Sequence, residues 1–403
     1  MGSDVGLGGG DPTGGQAVRP RRRSSGGPDG SPLFPALATV ALLLLVVAAR
    51  PVAVGVKSAL LLPAIFDGAP ARPLALLARP PRREAFSFAY SQGEVAGDLY
   101  VPSTGAGHGA LLLLPGARPP PRDDPLLVRF AEDLGRAGVV VMVPTSSRLN
   151  AGQILPEEVD AIVQAVELLR RRNDVDPARV GIIGFSVGGA LAVVAAADPR
   201  LAGRLAFVAS LGGYFDVEDL LRAVAARRLA YAGIDEPWVP HPLTIWVVAR
   251  QLVDALPDPR DRALLDELLM RQRWPTGEDE GLLSPAGRAV LDVLAGPPSA
   301  DPERVLALLP AASRQRLREI SPALAIERVR TPLFVMHDLD DRFIPYTESR
   351  RLVERAPPGT VRLHTELDLL AHVVPDRALD SPARLLDVAK LCRHLYQILL
   401  HTL

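Results

Sequence analysis

The chain has 403 residues, with 45 Lys+Arg against 46 Asp+Glu and a formal net charge of −1, so no global field draws it toward nucleic acid. At 48% hydrophobic and 23% charged it is a globular sequence, long enough for two or three domains, and disorder along the whole chain is excluded. Its lone cysteine, Cys392, allows neither an internal disulfide nor a thiolate metal site.

Gly, Pro, Ser and Arg dominate residues 1–31, which predicts a disordered tail near the basic cluster Arg19, Arg21, Arg22 and Arg23. An uncharged apolar run from Pro32 to Ala49 follows, and the chain stays apolar to Phe66 apart from Arg50 and Lys57. Such a run reaches the length of a membrane-spanning helix. The reading is an uncleaved single-pass anchor over 32–56 with the basic cluster inside, which puts the rest of the chain outside the cytoplasm. A cleaved secretion signal ending at Val47-Ala48-Ala49, a cytoplasm-facing orientation and a buried helix are the alternatives. Residues 57–83, rich in Pro and Arg toward their end, read as a linker to a domain over 84–403.

Two runs, 84–90 and 95–101, flank Gly93 and predict a hairpin. Ala110–Leu114 ends in Pro115-Gly116 and reads as a fully buried strand. A helix over about 124–137 comes next, then a strand Val139–Val143 stopped by Pro144. In Pro156–Arg172 the residues Val159, Ile162, Val163, Val166 and Leu169 recur at helical spacing, with Glu157 and Glu158 at the positive end of the dipole. A strand Val180–Phe185, a helix Val187–Ala197 and a strand Leu205–Leu211 follow. Strands Pro332–His337 and Val361–Thr365 and a helix over about 381–401 close the pattern.

Buried strands alternating with helices predict a mostly parallel α/β sheet covered on both faces. Between about 216 and 330 the alternation lapses into amphipathic helical patterns with no convincing strand. That stretch reads as a helical insertion that caps the site, and it holds Trp238, Trp246 and Trp274.

Gly184-Phe185-Ser186-Val187-Gly188 lies where a predicted strand ends and a predicted helix begins. A serine hydroxyl is a poor nucleophile unless it is presented with a base in reach. A sharp strand-to-helix turn exposes it, and glycines at 184 and 188 let the backbones pass closely. The turn also aims the Val187 N–H, at the start of the helix, toward an oxyanion. The acid and the base of such a site follow later in the chain. His337-Asp338-Leu339-Asp340-Asp341-Arg342-Phe343-Ile344-Pro345 succeeds the predicted strand at 332–337, and its three aspartates compete for the role of acid. His372 lies on the loop after the last predicted strand, whereas His364 falls within that strand and His394 and His401 on the terminal helix.

Gly184–Gly189, the His337–Pro345 loop and His372 together resemble the α/β-hydrolase superfamily. The Gly-Phe-Ser-x-Gly-Gly elbow is most similar to its dienelactone-hydrolase-like and prolyl-oligopeptidase-like branches. The acid loop of those branches reads His-Gly-x-x-Asp-x-x-Val-Pro. Here His337 matches, Asp338 replaces the glycine, Asp341 takes the acid position with Asp340 second, and Ile344-Pro345 closes the loop.

The resemblance covers about residues 84–400 and has two departures. Dienelactone hydrolases proper carry a cysteine nucleophile where this chain has Ser186, and the first oxyanion element, often His-Gly-Gly, is here Pro115-Gly116-Ala117. The resemblance implies a serine hydrolase acting on small-molecule carboxylic esters through an acyl-serine, and the apolar N-terminal run, outside the resemblance, makes it membrane-anchored. Ser186 is the expected nucleophile, His372 the base and Asp341 the acid; the Ala117 and Val187 amides are the expected oxyanion donors. No cofactor, metal or nucleic-acid partner is implied, and the apolar N-terminal run favours a lipophilic ester. A serine peptidase or an acyltransferase would use the same residues, and a catalytically inactive membrane-anchored binding module is the reading from another class. Oligomeric state stays open.

Overall fold

The computed structural model describes residues 49–66, 72–271, 273, 276–375 and 380–403. The chain divides into two units, Met1–Arg50 and Pro51–Leu403, and the second contains all that follows. Most of the anchor expected at 32–56 lies outside the described residues. Among those described, no helix is long and apolar enough to cross a membrane.

The strands in chain order are β1 (Arg82–Tyr90), β2 (Gly93–Val101), β3 (His108–Leu114), β4 (Val140–Ser146), β5 (Val175–Phe185), β6 (Phe207–Leu211), β7 (Arg228–Tyr231), β8 (Ile234–Pro237), β9 (Leu333–Asp338), β10 (Val361–Leu367), β11 (Leu370–Ala371) and β12 (Val374–Pro375). Eight of them form one sheet in the order β1-β2-β4-β3-β5-β6-β9-β10. β1 pairs antiparallel with β2, and β2 with β4, while every later pairing in the sheet is parallel. The result is a mostly parallel α/β sheet with helices on both faces, the arrangement expected of an α/β-hydrolase.

The continuous apolar runs of the central strands are explained by burial on two sides. Ala110, Leu112, Ile182, Val208 and Val335 point into one core, which also holds residues of α2 (Glu158–Arg170) and α3 (Val187–Ala196). Leu111, Leu113, Ile183, Phe207 and Phe334 point into the other. There they meet α1 (Pro125–Arg136) and the C-terminal helix, labelled α7 (Pro382–Thr402). Alternate residues of a strand face opposite ways, so two cores need unbroken apolar strands. α1 begins where the Asp124 carboxylate accepts from the Leu126 and Leu127 amides, a capping arrangement that satisfies two otherwise unpaired donors.

Three expectations are corrected. β4 runs through Pro144 to Ser146. Its pairing with β3 ends at Met142, so at Pro144 it has a neighbour on one side alone, where a missing N–H is tolerated. The stretch 57–83 is more than a linker: residues 51–61 are helical, and Val54, Leu61, Ala64 and Leu74 are buried in the core shared with α1 and α7 or beside it. Polar ties reinforce this, with Lys57 Nζ donating to Ala137 O at 2.7 Å and Arg72 pairing with buried Asp133 at 2.7 Å.

The third correction lies in the cap. Between β6 and β9 the chain forms a run of helices, among them α4 (Val217–Ala226) and α5 (Pro242–Ala255), but also the hairpin β7–β8. Its turn at Ala232 and Gly233 has positive φ at both residues, 48° and 87°, the geometry that matches strand twist in a two-residue connection. Each strand has only four residues, too few to display an alternating pattern in the sequence. The cap's buried residues, such as Val248, Leu252 and Val290, continue the core on the α2–α3 face.

Candidate active site

Ser186 sits between β5 and α3 with φ 56° and ψ −127°. A residue with a side chain rarely adopts this region, and strain of this kind persists only where surroundings enforce it. Here the enforcement is visible. Ser186 N donates to Leu211 O at 2.8 Å, and Ser186 O accepts from Gly189 N at 2.9 Å. A Cβ at Gly184 would lie 2.2 Å from Gly188 O, and one at Gly188 would lie 2.4 Å from Leu114 O. The turn therefore closes only with glycine at both positions.

The loop after β9 is organised by two buried carboxylates. Asp341 accepts the amides of Phe343 and Ile344 at 2.7 and 3.1 Å through Oδ1. Its Oδ2 lies 2.6 Å from His372 Nδ1 and 3.2 Å from His337 Nε2. Burial pushes the Asp341 carboxyl up, but the charge of His372 and the bonds from His337 and His372 outweigh it, holding the group well below the usual carboxylate range.

Asp338, at the end of β9, has a different task. Its Oδ2 accepts the Leu369 and Leu370 amides at 2.8 and 2.7 Å, which ties the loop carrying His372 to the loop carrying Asp341. Asp340 is exposed. Of the three aspartates, Asp341 is the one that the fold brings to His372.

His372 occupies the turn between β11 and β12 and has φ 66°. Its ring stacks on Phe343, with centroids 4.7 Å apart, and Phe343 stacks in turn on His241 of the cap at 4.0 Å. A Cβ at Gly212 would lie 3.1 Å from the His372 ring, so the imidazole is held on both sides. Its Nε2 is buried and makes no hydrogen bond among the described residues, Ser186 included. Ser186 and His372 nevertheless line one cavity of about 300 Å³, together with Gly116, Ala117 and Phe343. A serine–histidine bond commonly tightens only when substrate is bound.

The Pro115–Ala117 loop lies against the serine: a Cβ at Gly116 would be 3.3 Å from Ser186 Oγ. No backbone carbonyl among the described residues accepts from the amide of Ala117 or Val187. Two preorganised N–H groups beside a serine can stabilise an oxyanion. Among the described residues no group of three or more His, Cys, Asp or Glu is arranged to hold a metal.

Sequence reasoning entered Asp338 only as one of three candidate acids and Trp238 only as a residue of the cap, and it gave no role to Phe343 or His241. Trp238 Nε1 donates to Asp341 O at 2.8 Å, a contact between residues 103 positions apart with no local signal. His337 and Phe343 stand in the quoted loop, so the loop pattern carried a trace of them.

The profile of the dienelactone hydrolase family matches residues 147–214, the span that contains Ser186 and its elbow. No curated protein matches the chain. Among solved structures, it is similar to a 2,6-dihydroxy-pseudo-oxynicotine hydrolase at 15% identity and TM-score 0.46, covering 79% of this chain and 68% of that one. It is also similar to a Pyrobaculum calidifontis esterase at 14% identity and TM-score 0.42, covering 81% and 89%. A Pyrococcus horikoshii acylaminoacyl peptidase gives 13% identity and TM-score 0.41, covering 73% of this chain and 38% of that one.

Proposed function

We propose that the chain is a serine hydrolase that cleaves carboxylic esters through an acyl-serine intermediate. The observation that carries this reading is the Asp341–His372 hydrogen bond at 2.6 Å beside a serine on a strained strand-to-helix turn that lines the same cavity. In the proposed reaction Ser186 Oγ adds to the ester carbonyl and its proton passes to His372 Nε2. The Ala117 and Val187 amides receive the developing oxyanion. The bond from carbon to the alcohol oxygen then breaks, and that oxygen takes the proton from His372 Nε2. A water molecule, deprotonated by His372, releases the acid and restores Ser186. Asp341 keeps the proton on His372 Nδ1 and balances the imidazolium, so Asp341→Asn lowers kcat by a factor on the order of 10⁴.

A peptidase would call for a charge free to hold a chain terminus. Glu218, which lines another cavity that reaches Ser186 from beneath the cap, is instead held by Arg318 at 2.7 Å and lies 3.7 Å from Arg222.

The test is covalent labelling of the whole chain with a fluorophosphonate, with the adduct located by mass spectrometry. The expected result is a single label on Ser186 that is lost in Ser186→Ala and in His372→Ala. Folded protein that takes up no label overturns the reading.

A further inference from the structure

Two apolar cavities meet at Ser186 from different sides. One, of about 70 Å³, lies under the cap and is walled by Leu221 of α4, Val247 and Val248 of α5, and Leu306. The other, of about 300 Å³, runs between Leu127 and Phe130 of α1 and Leu391 and Leu395 of α7, reaching Ile65. Ala117, Ser186, Leu243 and Phe343 line both.

The charged and titratable groups along these walls are mostly occupied elsewhere. In the cap cavity Glu218 is paired with Arg318. In the second cavity Asp124 caps α1, and His394 bonds Thr365 at 3.0 Å, its pKa pushed down to about 3 by burial. Arg118, at the exposed rim, lies over the Trp246 ring at 4.5 Å.

We propose that the substrate is an uncharged ester with an apolar limb on each side of the scissile bond, the acyl limb in the cap cavity and the alcohol limb between α1 and α7. The inference rests on the serine hydrolase reading and deepens it. The assignment of limbs follows from where the proton must go. His372 lines the second cavity and is absent from the walls of the first. The alcohol oxygen must take its proton from His372 Nε2 as the bond to carbon breaks, so the alcohol leaves on the His372 side. The acyl carbon keeps its bond to Ser186 Oγ, with its chain on the Val187 side. Apolar walls on both sides reward length in both limbs, at about threefold to fourfold in kcat/KM for each methylene buried.

The experiment uses the whole chain and two ester series, one lengthening the acid with ethanol as the alcohol, the other lengthening the alcohol with butyrate as the acid. The expected result is a rise in kcat/KM along both series, followed by a plateau. Val247→Trp, which fills the cap cavity, shortens the preferred acyl chain, and Leu127→Trp, which fills the second, shortens the preferred alcohol. A flat response in either series overturns the proposal, as does the opposite pairing of variant and limb. If a tryptophan variant does not fold, the two series on the wild-type chain still decide the substrate class. Fluorophosphonate labelling of that same wild-type protein separates the failures. A labelled Ser186 with flat series removes the substrate class alone, whereas an unlabelled protein removes the hydrolase reading beneath it.

Discussion

Glu348 is buried at the start of α6 (Thr347–Arg355), where it accepts the Phe215 and Asp216 amides, both at 2.9 Å, at the point where the chain leaves β6 for the cap. Burial pushes its carboxyl up to about 7; the two amides pull the other way, and the charge of Asp219 adds to the rise. A folded-state value above the ordinary 4.5 means that the native protein holds a proton the unfolded chain has lost between about pH 4.5 and pH 7. Stability from this group is therefore complete below that window and falls as pH rises through it. Glu348→Gln keeps an acceptor for the amides but cannot ionise. Urea unfolding of the two proteins near pH 5 and near pH 8 is expected to show the variant gaining on the wild type as pH rises. Nothing in the sequence around Glu348 distinguishes it from the exposed acids of other helices; its partners lie more than 130 positions away.

At the scale of elements, the helical residues 51–61 and the short helix Pro73–Leu77 belong to the folded unit. The apolar run up to Phe66 was legible as apolar, but its address was not. A stretch without charges suits a membrane or a protein core equally, and only the α1–α7 face shows where Leu61 and Leu74 go. A fragment beginning at residue 84 leaves that face bare and takes Arg72 from the buried carboxylate of Asp133. Val54, Leu61 and Leu74 are each worth roughly 1.5–3 kcal/mol when fully buried. The fragment is expected to lose about 3 kcal/mol or more against the whole chain, read as a lower urea midpoint.

For the molecule as a whole, the cap and the loop bearing Asp341 are joined by hydrogen bonds. Besides Trp238 Nε1 to Asp341 O, the His241 amide donates to Arg342 O at 2.6 Å and Thr244 Oγ1 to Phe343 O at 2.9 Å. Tyr346 OH reaches Glu236 at 3.0 Å. The insertion thus holds the Asp341 loop in place as well as covering the cavity above Ser186. Trp238→Phe keeps an aromatic ring, smaller than the indole, and removes the donor. It is expected to cost about 1 kcal/mol in urea unfolding and, by letting the loop drift, to lower kcat about tenfold with KM little changed.

Local pattern determined much of this architecture. Unbroken apolar strands, helices at 3.6-residue spacing and glycines at 184 and 188 set out the order of elements and the turn at Ser186, because each depends on near neighbours in the chain. Tertiary structure decided what distant residues must settle together. Residue type left Asp338, Asp340 and Asp341 in competition; the loop's resemblance pointed to Asp341, but only the fold shows what each carboxylate holds. The fold gives Asp341 to His372 and Asp338 to the Leu369 and Leu370 amides. The burial of Glu348, the bond from Trp238 and the two cavities around Ser186 are of the same kind. Each is a contact between segments tens to hundreds of residues apart, and a sequence pattern of short period carries no information about them.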